Sequence, residues 1–462
     1  MKTYQDWIEL TNEEERAQFI QAAIGEHEGS AAYRMARKAE LYYRHENPTI
    51  MQAQKLLYDF MGRAVPDVYS ANNKIPSRFY FYFVTQLVQF LLGNGVSFAQ
   101  EGTKERLGGA RFDIAIQDLA TKAQNGGVAF GFWNVDHLEA FGLAGIDEPS
   151  FVPLKDENTG MLRAGIRYWQ VSNDKPMRCT LYEEDGFTEY AKTDAESGFS
   201  IIQPKRGYVQ IVEKAEIGGE NVLDEYNYPG FPIIPFYNIN RNSELVGGQE
   251  VIDAYDLMAS TMINNIDDGN IIYWILKNCG DMDDVDDAKF LEQIRRTHVA
   301  HPGDGEGEVD AHTVEAPFAA NETALERLRT QLFDDFMALD VRGIANGAAT
   351  ATQIKAAYEP LNAKANKFEQ QVTTFILNLL DLLGIEDAPT YTRSMIVNKS
   401  EEITSILQAG EYLSDEYITS KLLEVNGDID KLEEVQAQKA NREMSMYPLE
   451  EEAEEEPTEG GF

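Results

Sequence analysis

Residues 344–382 read IANGAATATQIKAAYEPLNAKANKFEQQVTTFILNLLDL, and the change of texture inside that stretch decides how the rest of the chain is read. From 344 to 352 nearly every side chain is small, so the backbone there can approach another molecule closely. Beyond it, Ile354, Tyr358, Leu361, Ala365, Phe368, Val372, Phe375, Leu379 and Leu382 recur at steps of four and three, which predicts one apolar seam along a long helix. Such a seam packs in the core of its own subunit or against a neighbour. Pro360 lies within it, lacking an amide hydrogen and crowding the carbonyl of Ala356, so a bend costing about 3 kcal/mol is expected there.

Working outward, Leu325, Leu328, Leu332, Phe336 and Leu339 mark a second helical face, expected to run out at Gly343. Val251, Tyr255, Met258, Met262 and Ile266 mark a third, starting near Gly248. Between these two helices, Ile271 to Leu276 reads as a strand and Asp281 to Thr297 as an acidic turn leading into a short helix, in a small insertion closing at Pro317. Further upstream, β-rich pieces at Gly126 to Trp133, Ile166 to Val171, Cys179 to Tyr182, Tyr208 to Val212 and Ile233 to Tyr237 are broken by Asn173-Asp174, Asp185-Gly186 and Gly218-Gly219. That pattern predicts an antiparallel sheet region. Ahead of it stand one or two surface helices over Asn12 to Tyr43, a buried aromatic helix from Ile75 to Leu92, and a helix over Phe112 to Ala123. After Gly384 comes a strand-like piece, Thr390 to Val397, then short helices with Ser400, Ser414 and Asp428 as N-caps. The fold class is α+β, mainly α.

The 462 residues are too many for one ordinary core. Forty basic against 78 acidic residues leave a formal charge of −38, which repels phosphate backbones and anionic membranes and disfavours a conventional DNA-binding protein. The tail from Leu449 to Phe462 holds seven Glu and is expected to be disordered, yet it accounts for only a small part of that charge. Cys179 and Cys279 form no CxxC pattern, so neither a disulfide framework nor a zinc knuckle is expected and a reducing cytoplasm fits. No window approaches the ~18 apolar residues of a membrane span, and the amino terminus has no apolar signal core, so a protein neither exported nor inserted is expected.

Catalytic patterns are scarce. Gly303, Gly305 and Gly307 lack a lysine and sit among Asp304, Glu306 and Glu308, which would repel a phosphate. His298, His301 and His312 fit no familiar zinc spacing, and Asp281, Asp283 and Asp286 match a calcium loop only loosely. Ser172 to Lys175 matches SxxK without its companion motifs. No enzyme, cofactor or metal is therefore expected; a metal-dependent hydrolase built on the histidine-rich insertion is the weakest alternative.

Several short motifs carry a resemblance. Tyr42-Tyr43-Arg44-His45-Glu46 is similar to a YYxGx segment with His45 in place of glycine. Asn72-Asn73-Lys74-Ile75 resembles NNKI, and Leu92-Gly93-Asn94-Gly95-Val96 resembles LGxPV with Gly95 in place of proline. Pro232 to Asn238 resembles PVVPFxN, and Val251-Ile252-Asp253-Ala254-Tyr255 resembles LIDAY. Taken in this order, they resemble the portal proteins of tailed, siphophage-type bacteriophages.

The resemblance implies a wing over 1–247, stem helices over 248–270 and 321–343 around a clip at 271–320, a tunnel loop at 344–352, a long wing helix and return strand over 353–399, crown helices over 400–447 and an acidic tail at 448–462. It implies a dodecameric ring at one capsid vertex, in the virion and, during assembly, in the host cytoplasm. Double-stranded DNA would pass through without sequence specificity. Terminase large subunit, a head-completion or adaptor protein, scaffold and major capsid protein would be the partners, with no membrane. Another head or adaptor protein without a pore is the nearest alternative. DNA would meet the loop residues Gly343, Ile344, Ala345, Asn346, Gly347, Ala348, Ala349, Thr350, Ala351 and Thr352, flanked by the cations Arg342 and Lys355. Thr352 could instead cap the following helix, and the two cations could pair with nearby carboxylates.

Overall fold

The computed structural model describes residues 2–58, 61–67, 70–192, 198–214, 220–269, 273–277, 308–312, 318–343, 351–394, 399–410, 412–426, 431–432 and 434–438. It divides into two compact units, Met1–Leu339 with Pro360–Ser394, and Asp340–Glu359 with Met395–Phe462.

The first unit opens with α1 (Tyr4–Ile8), α2 (Glu13–Glu28), α3 (Ala31–Tyr43) and α4 (Pro48–Gln52). Each starts on a side chain that accepts a free helix amide: Thr3, Asn12, Ser30 and Asn47. A hairpin of β1 (Leu56–Tyr58) and β2 (Ala64–Pro66) leads to α5 (Phe79–Leu92), β3 (Val96–Phe98), α6 (Thr103–Arg106) and α7 (Ala110–Gly126). The sheet follows: β4 (Val128–Asn134), β5 (His137–Gly142), β6 (Ser150–Lys155), β7 (Leu162–Trp169), β8 (Met177–Glu183), β9 (Gly186–Lys192) and β10 (Ser200–Arg206). After a separate hairpin, β11 (Val209–Lys214) with β12 (Glu220–Tyr226), the chain returns as β13 (Ile233–Tyr237).

The eight-stranded order is β10-β9-β8-β7-β6-β5-β4-β13. Both edge strands contain a proline, Pro204 and Pro235, which blunts an open edge. Trp7, Phe19 and Ile20 of the leading helices pack with Leu154, Ile166 and Leu181 of the sheet. A second cluster joins Phe130, Phe132, Phe141, Phe151 and Tyr182. Beyond the sheet lie α8 (Gln249–Gly269), the hairpin of β14 (Tyr273–Lys277) and β15 (Glu308–His312), α9 (Phe318–Asp335), α10 (Ala351–Leu382) and β16 (Pro389–Tyr391), which pairs with β3.

In the second unit a 3-10 turn, Val341–Gly343, precedes the start of α10. Helices α11 (Lys399–Ala409) and α12 (Asp415–Asn426) pack on each other. The Ser414 hydroxyl accepts the Tyr417 amide at 3.4 Å, the capping role expected of it. Asp428 and the acidic tail lie outside the described residues.

The mixed α/β class agrees with the expectation, and three helix boundaries and one strand pairing differ from it. The aromatic helix starts at Phe79 rather than Ile75, because Ile75 to Ser77 spend their backbone donors elsewhere. Helix α9 stops at Asp335, not Gly343: Met337 turns to φ 50, and the Ala338 amide closes back on the Phe333 carbonyl at 2.9 Å, a helix-terminating arrangement. The long helix begins at Ala351, so Thr352 stands inside its first turn and does not cap it. The sheet is antiparallel except for one parallel pairing, Gly142 with Ser150.

Candidate functional site: the joint of the long helices

Helices α8, α9 and α10 are held by one continuous set of contacts, and four of the five motifs noted above meet there; Leu92 to Val96 lies apart, its Val96 amide bonded to Asp113 at 3.0 Å. Along α8, Asp256, Ser260, Asn264 and Asp267 follow each other at steps of four, four and three, making a polar stripe beside the apolar one. The extended residues 73–77 lie against it. The Ser77 amide donates to Asp256 Oδ1 at 2.9 Å, Ile75 to Ser260 Oγ at 3.0 Å and Asn73 to Asn264 Oδ1 at 2.6 Å, while Asn264 Nδ2 returns a bond to the Asn73 carbonyl at 3.3 Å. Asn73 Nδ2 adds a bond to Asp267 at 2.6 Å.

The fit is metric. Two residues of extended chain advance about 6.6 Å and four residues of helix about 6 Å, so alternate amides meet successive turns. Pro76 occupies a skipped position, where its missing amide costs nothing. Asp256, Ser260 and Asn264 are buried at 0, 5 and 4% exposure, so each acceptor works away from water.

The same stripe receives the tyrosine motif. The Tyr42 hydroxyl donates to Asp253 Oδ1 at 2.6 Å, and Asn47 Nδ2 donates to Asp253 at 3.0 Å and Asp256 at 2.8 Å. Burial pushes the Asp256 carboxyl above its ordinary value, against the opposing pull of its Ser77 and Asn47 hydrogen bonds. His45 has φ 68, the left-handed conformation that glycine tolerates best, and its ring Nδ1 lies 3.1 Å from the Ser77 carbonyl. Glycine is therefore the residue this turn favours, and His45 accepts the strain while touching the strap. Gly95 has φ 77, which proline cannot adopt, so the backbone there departs from the LGxPV pattern.

Under this polar face the aromatic helix delivers Phe79 and Phe83 to α8 and α9. Phe79 meets Tyr255 edge-on at 4.9 Å, and Phe83 stacks on Phe336 at 4.5 Å. Helix α10 is seated by its seam: Leu361, Ala365, Phe368, Val372, Phe375 and Leu379 are buried. Phe236 of the PVVPFxN-like strand meets Phe368 and Phe375 edge-on at 5.7 and 5.6 Å. Gly131 leaves the space for Phe375, whose ring lies 2.4 Å from where a Cβ would sit.

One buried cation connects the three helices. Lys364 of α10, 7% exposed, donates to the Phe336 carbonyl just past α9 at 2.7 Å and pairs with Glu244, which precedes α8. Its Nζ also lies 5.7 Å over the Phe336 ring. Lys364 was legible only as a lone cation between seam residues Leu361 and Ala365. Asp256, Ser260 and Asn264 were legible as a polar row, but nothing in the row names its partner.

Of the loop residues, Ile344 to Thr350 lie outside the described residues. Arg342 pairs with Asp340 at 3.9 Å, and Thr352 and Lys355 are exposed on the first turns of α10. Pro360 is inside α10, where the two units divide. His298, His301, Cys279, the glycine cluster and the acidic turn at 281–286 lie outside the described residues, while His312 is in β15 opposite Tyr273. Ser172 bonds to Asp174 in the turn joining β7 and β8, and Lys175 Nζ lies 4.0 Å from Asp174. Among the described residues no three His, Cys, Asp or Glu side chains could share a metal ion, and no helix is long and apolar enough to cross a membrane.

The joint is built from main-chain hydrogen bonds, a buried ion pair and aromatic packing. Residues 26–445 match the family described as phage portal protein, SPP1 Gp6-like, and the chain belongs to that family. It is 25% identical over 419 residues to a portal protein of Bacillus phage SPP1, covering 84% of this chain and 79% of the relative. It is 23% identical over 394 residues to a portal protein of Clostridium phage phiCD119, covering 79% and 84% respectively.

Proposed function

We propose that this chain is the subunit of a dodecameric portal ring at one capsid vertex, a channel for DNA during packaging and ejection and a docking platform for terminase and head-completion proteins. Family membership over residues 26–445 carries the proposal. In this reading residues 1–247 form the wing, 248–270 and 321–343 the stem, 271–320 the clip, 344–352 the tunnel loop, 353–399 the long wing helix and return strand, and 400–447 the crown. The formal charge of −38 suits a wall that repels DNA, leaving little binding free energy to oppose translocation.

Electron micrographs of the purified chain test the ring: annular particles with a central hole are expected, and solid or pore-less particles would favour an adaptor. Deleting Asn346 to Thr350 is expected to leave rings intact and to abolish or cut DNA packaging in a reconstituted assay. Loss of the rings themselves would count against the loop assignment.

A further inference from the structure

Away from the joint, the corner between α2 and α3 rests on the chain just past β5 through one imidazole. His27, in the last turn of α2, is 1% exposed, and its Nε2 lies 2.9 Å from the Leu143 carbonyl. A carbonyl only accepts, so Nε2 carries the hydrogen and Nδ1 is left with a bare lone pair. Nδ1 is enclosed and has no partner. Tyr33 of α3 packs edge-on to the imidazole at 5.1 Å and carries the corner into the apolar cluster of Phe141, Leu143 and Phe151.

This geometry suits one charge state. A proton on Nδ1 would put a cation and an unmatched N–H donor where neither solvent nor an acceptor meets them. Among the described residues the charged group acting on the imidazole is Glu28, next in the chain and exposed, whose carboxylate takes the Tyr168 hydroxyl of β7 at 3.1 Å. Tyr33 from α3 and the Leu143 main chain from beyond β5 offer a ring edge and a carbonyl, not a carboxylate. Burial lowers the pKa of His27 below its ordinary 6.5, outweighing the Leu143 carbonyl and Glu28, which favour the charged form, as the carbonyl end of α2 also does.

We propose that this corner is an acid-released latch: neutral His27 holds α2 and α3 on Leu143, and a proton taken up by the imidazole lets the corner open and uncovers Tyr33 and Leu143. In the open corner the imidazole meets water, where 6.5 applies. The closed state is therefore favoured in full above that pH and loses ground as pH falls from there through the lower closed-state value. The latch is independent of any assembly into a dodecamer.

Deuterium uptake at the His27 imidazole C2, read by mass spectrometry on the full-length wild type, gives its titration midpoint without any variant; a value below 6.5 is expected. Amide exchange corrected for intrinsic rates should show opening over residues 24–34 and 141–145 rising by up to about tenfold per pH unit below the ordinary value, as for uptake of one proton, while the seam of α10 responds less. His27→Gln keeps an N–H for the Leu143 carbonyl and does not titrate, so in that variant the acid response should disappear. A midpoint at or above 6.5, opening that ignores pH, or an equal acid response in His27→Gln overturns the latch.

Discussion

Helices α8 and α10 are fastened in opposite ways. Helix α10 is seated by aromatic burial, Phe368 and Phe375 against Phe236, and a seam of that kind tolerates exchange of one apolar residue for another of similar volume. Helix α8 carries a polar stripe that reads the main chain of residues 73–77, where a hydrogen bond is made or lost. Burial supplies most of the free energy, about 1.5–3 kcal/mol for each large apolar side chain, whereas the ladder fixes axial register. Sliding α8 by one turn would cost its apolar face little discrimination, but it would unpair Asp256 from Ser77 and Asn47.

The largest effect should come from the one group that belongs to both arrangements. Lys364→Met keeps the volume of the seam but leaves the Glu244 carboxylate, only 14% exposed, without its cation. Removing one member of a buried pair costs about 3–5 kcal/mol. Urea unfolding should show that loss, and adding Glu244→Gln should return a large part of it. A double variant as unstable as the single one would mean that the Phe336 carbonyl, not Glu244, is the partner that matters.

The polar ladder should yield less, and in a pattern that burial cannot imitate. Asn264→Ala is expected to cost about 1–3 kcal/mol, since the Asn73 amide and carbonyl lose their partners together. Hydrogen exchange resolved by residue should speed up at Asn73 and Ile75 while Lys74, whose amide is not in the ladder, changes little. Uniform acceleration across α5 and α8 would show that the ladder is only part of a general packing surface.

Legibility in the sequence follows the same division. The seam of α10 and the stripe of α8 were readable because burial repeats with the helix, and β7, β8 and β13 because their residues suit a pleated sheet. The sheet order was not readable: β13 returns to β4 across about a hundred residues, and no local residue records a distant neighbour. The aromatic helix starts later than the apolar run beginning at Ile75 suggests, because the Ile75 amide goes to Ser260 and Ile75 itself is exposed. Motifs such as NNKI and LIDAY were visible as strings, yet that Asn73 and Asp253 serve one joint required the fold.

Acidity offers a finer probe of the ladder. Burial raises the folded-state pKa of Asp256 above its ordinary 3.8, so the folded chain holds this proton more tightly than the unfolded one does. Above the folded pKa the ionised group weighs against folding in full; as pH falls through that value the penalty is relieved, and it is gone below 3.8. Relative to Asp256→Asn, the wild type should therefore gain stability as pH drops from neutral toward 4. Parallel urea midpoints for the two proteins across that range would remove Asp256 from the account.

The smallest effect is expected at His45, and its sign separates two opposed contributions. A non-glycine residue at φ 68 costs about 1 kcal/mol, which His45→Gly would recover in the folded state, partly offset by the greater freedom of glycine in the unfolded chain. The same change removes the ring contact with the Ser77 carbonyl at 3.1 Å, a hydrogen bond of about 0.5–1.5 kcal/mol. His45→Gly should thus lie near neutrality, whereas His45→Ala, which keeps the strain and loses the bond, should be destabilised by about 1 kcal/mol. If alanine proved as stable as glycine, strain at this turn would be negligible, and the departure from YYxGx would have no backbone cause. If both lost equally and Ser77 exchanged faster, the histidine would be a working rung of the ladder that holds α8.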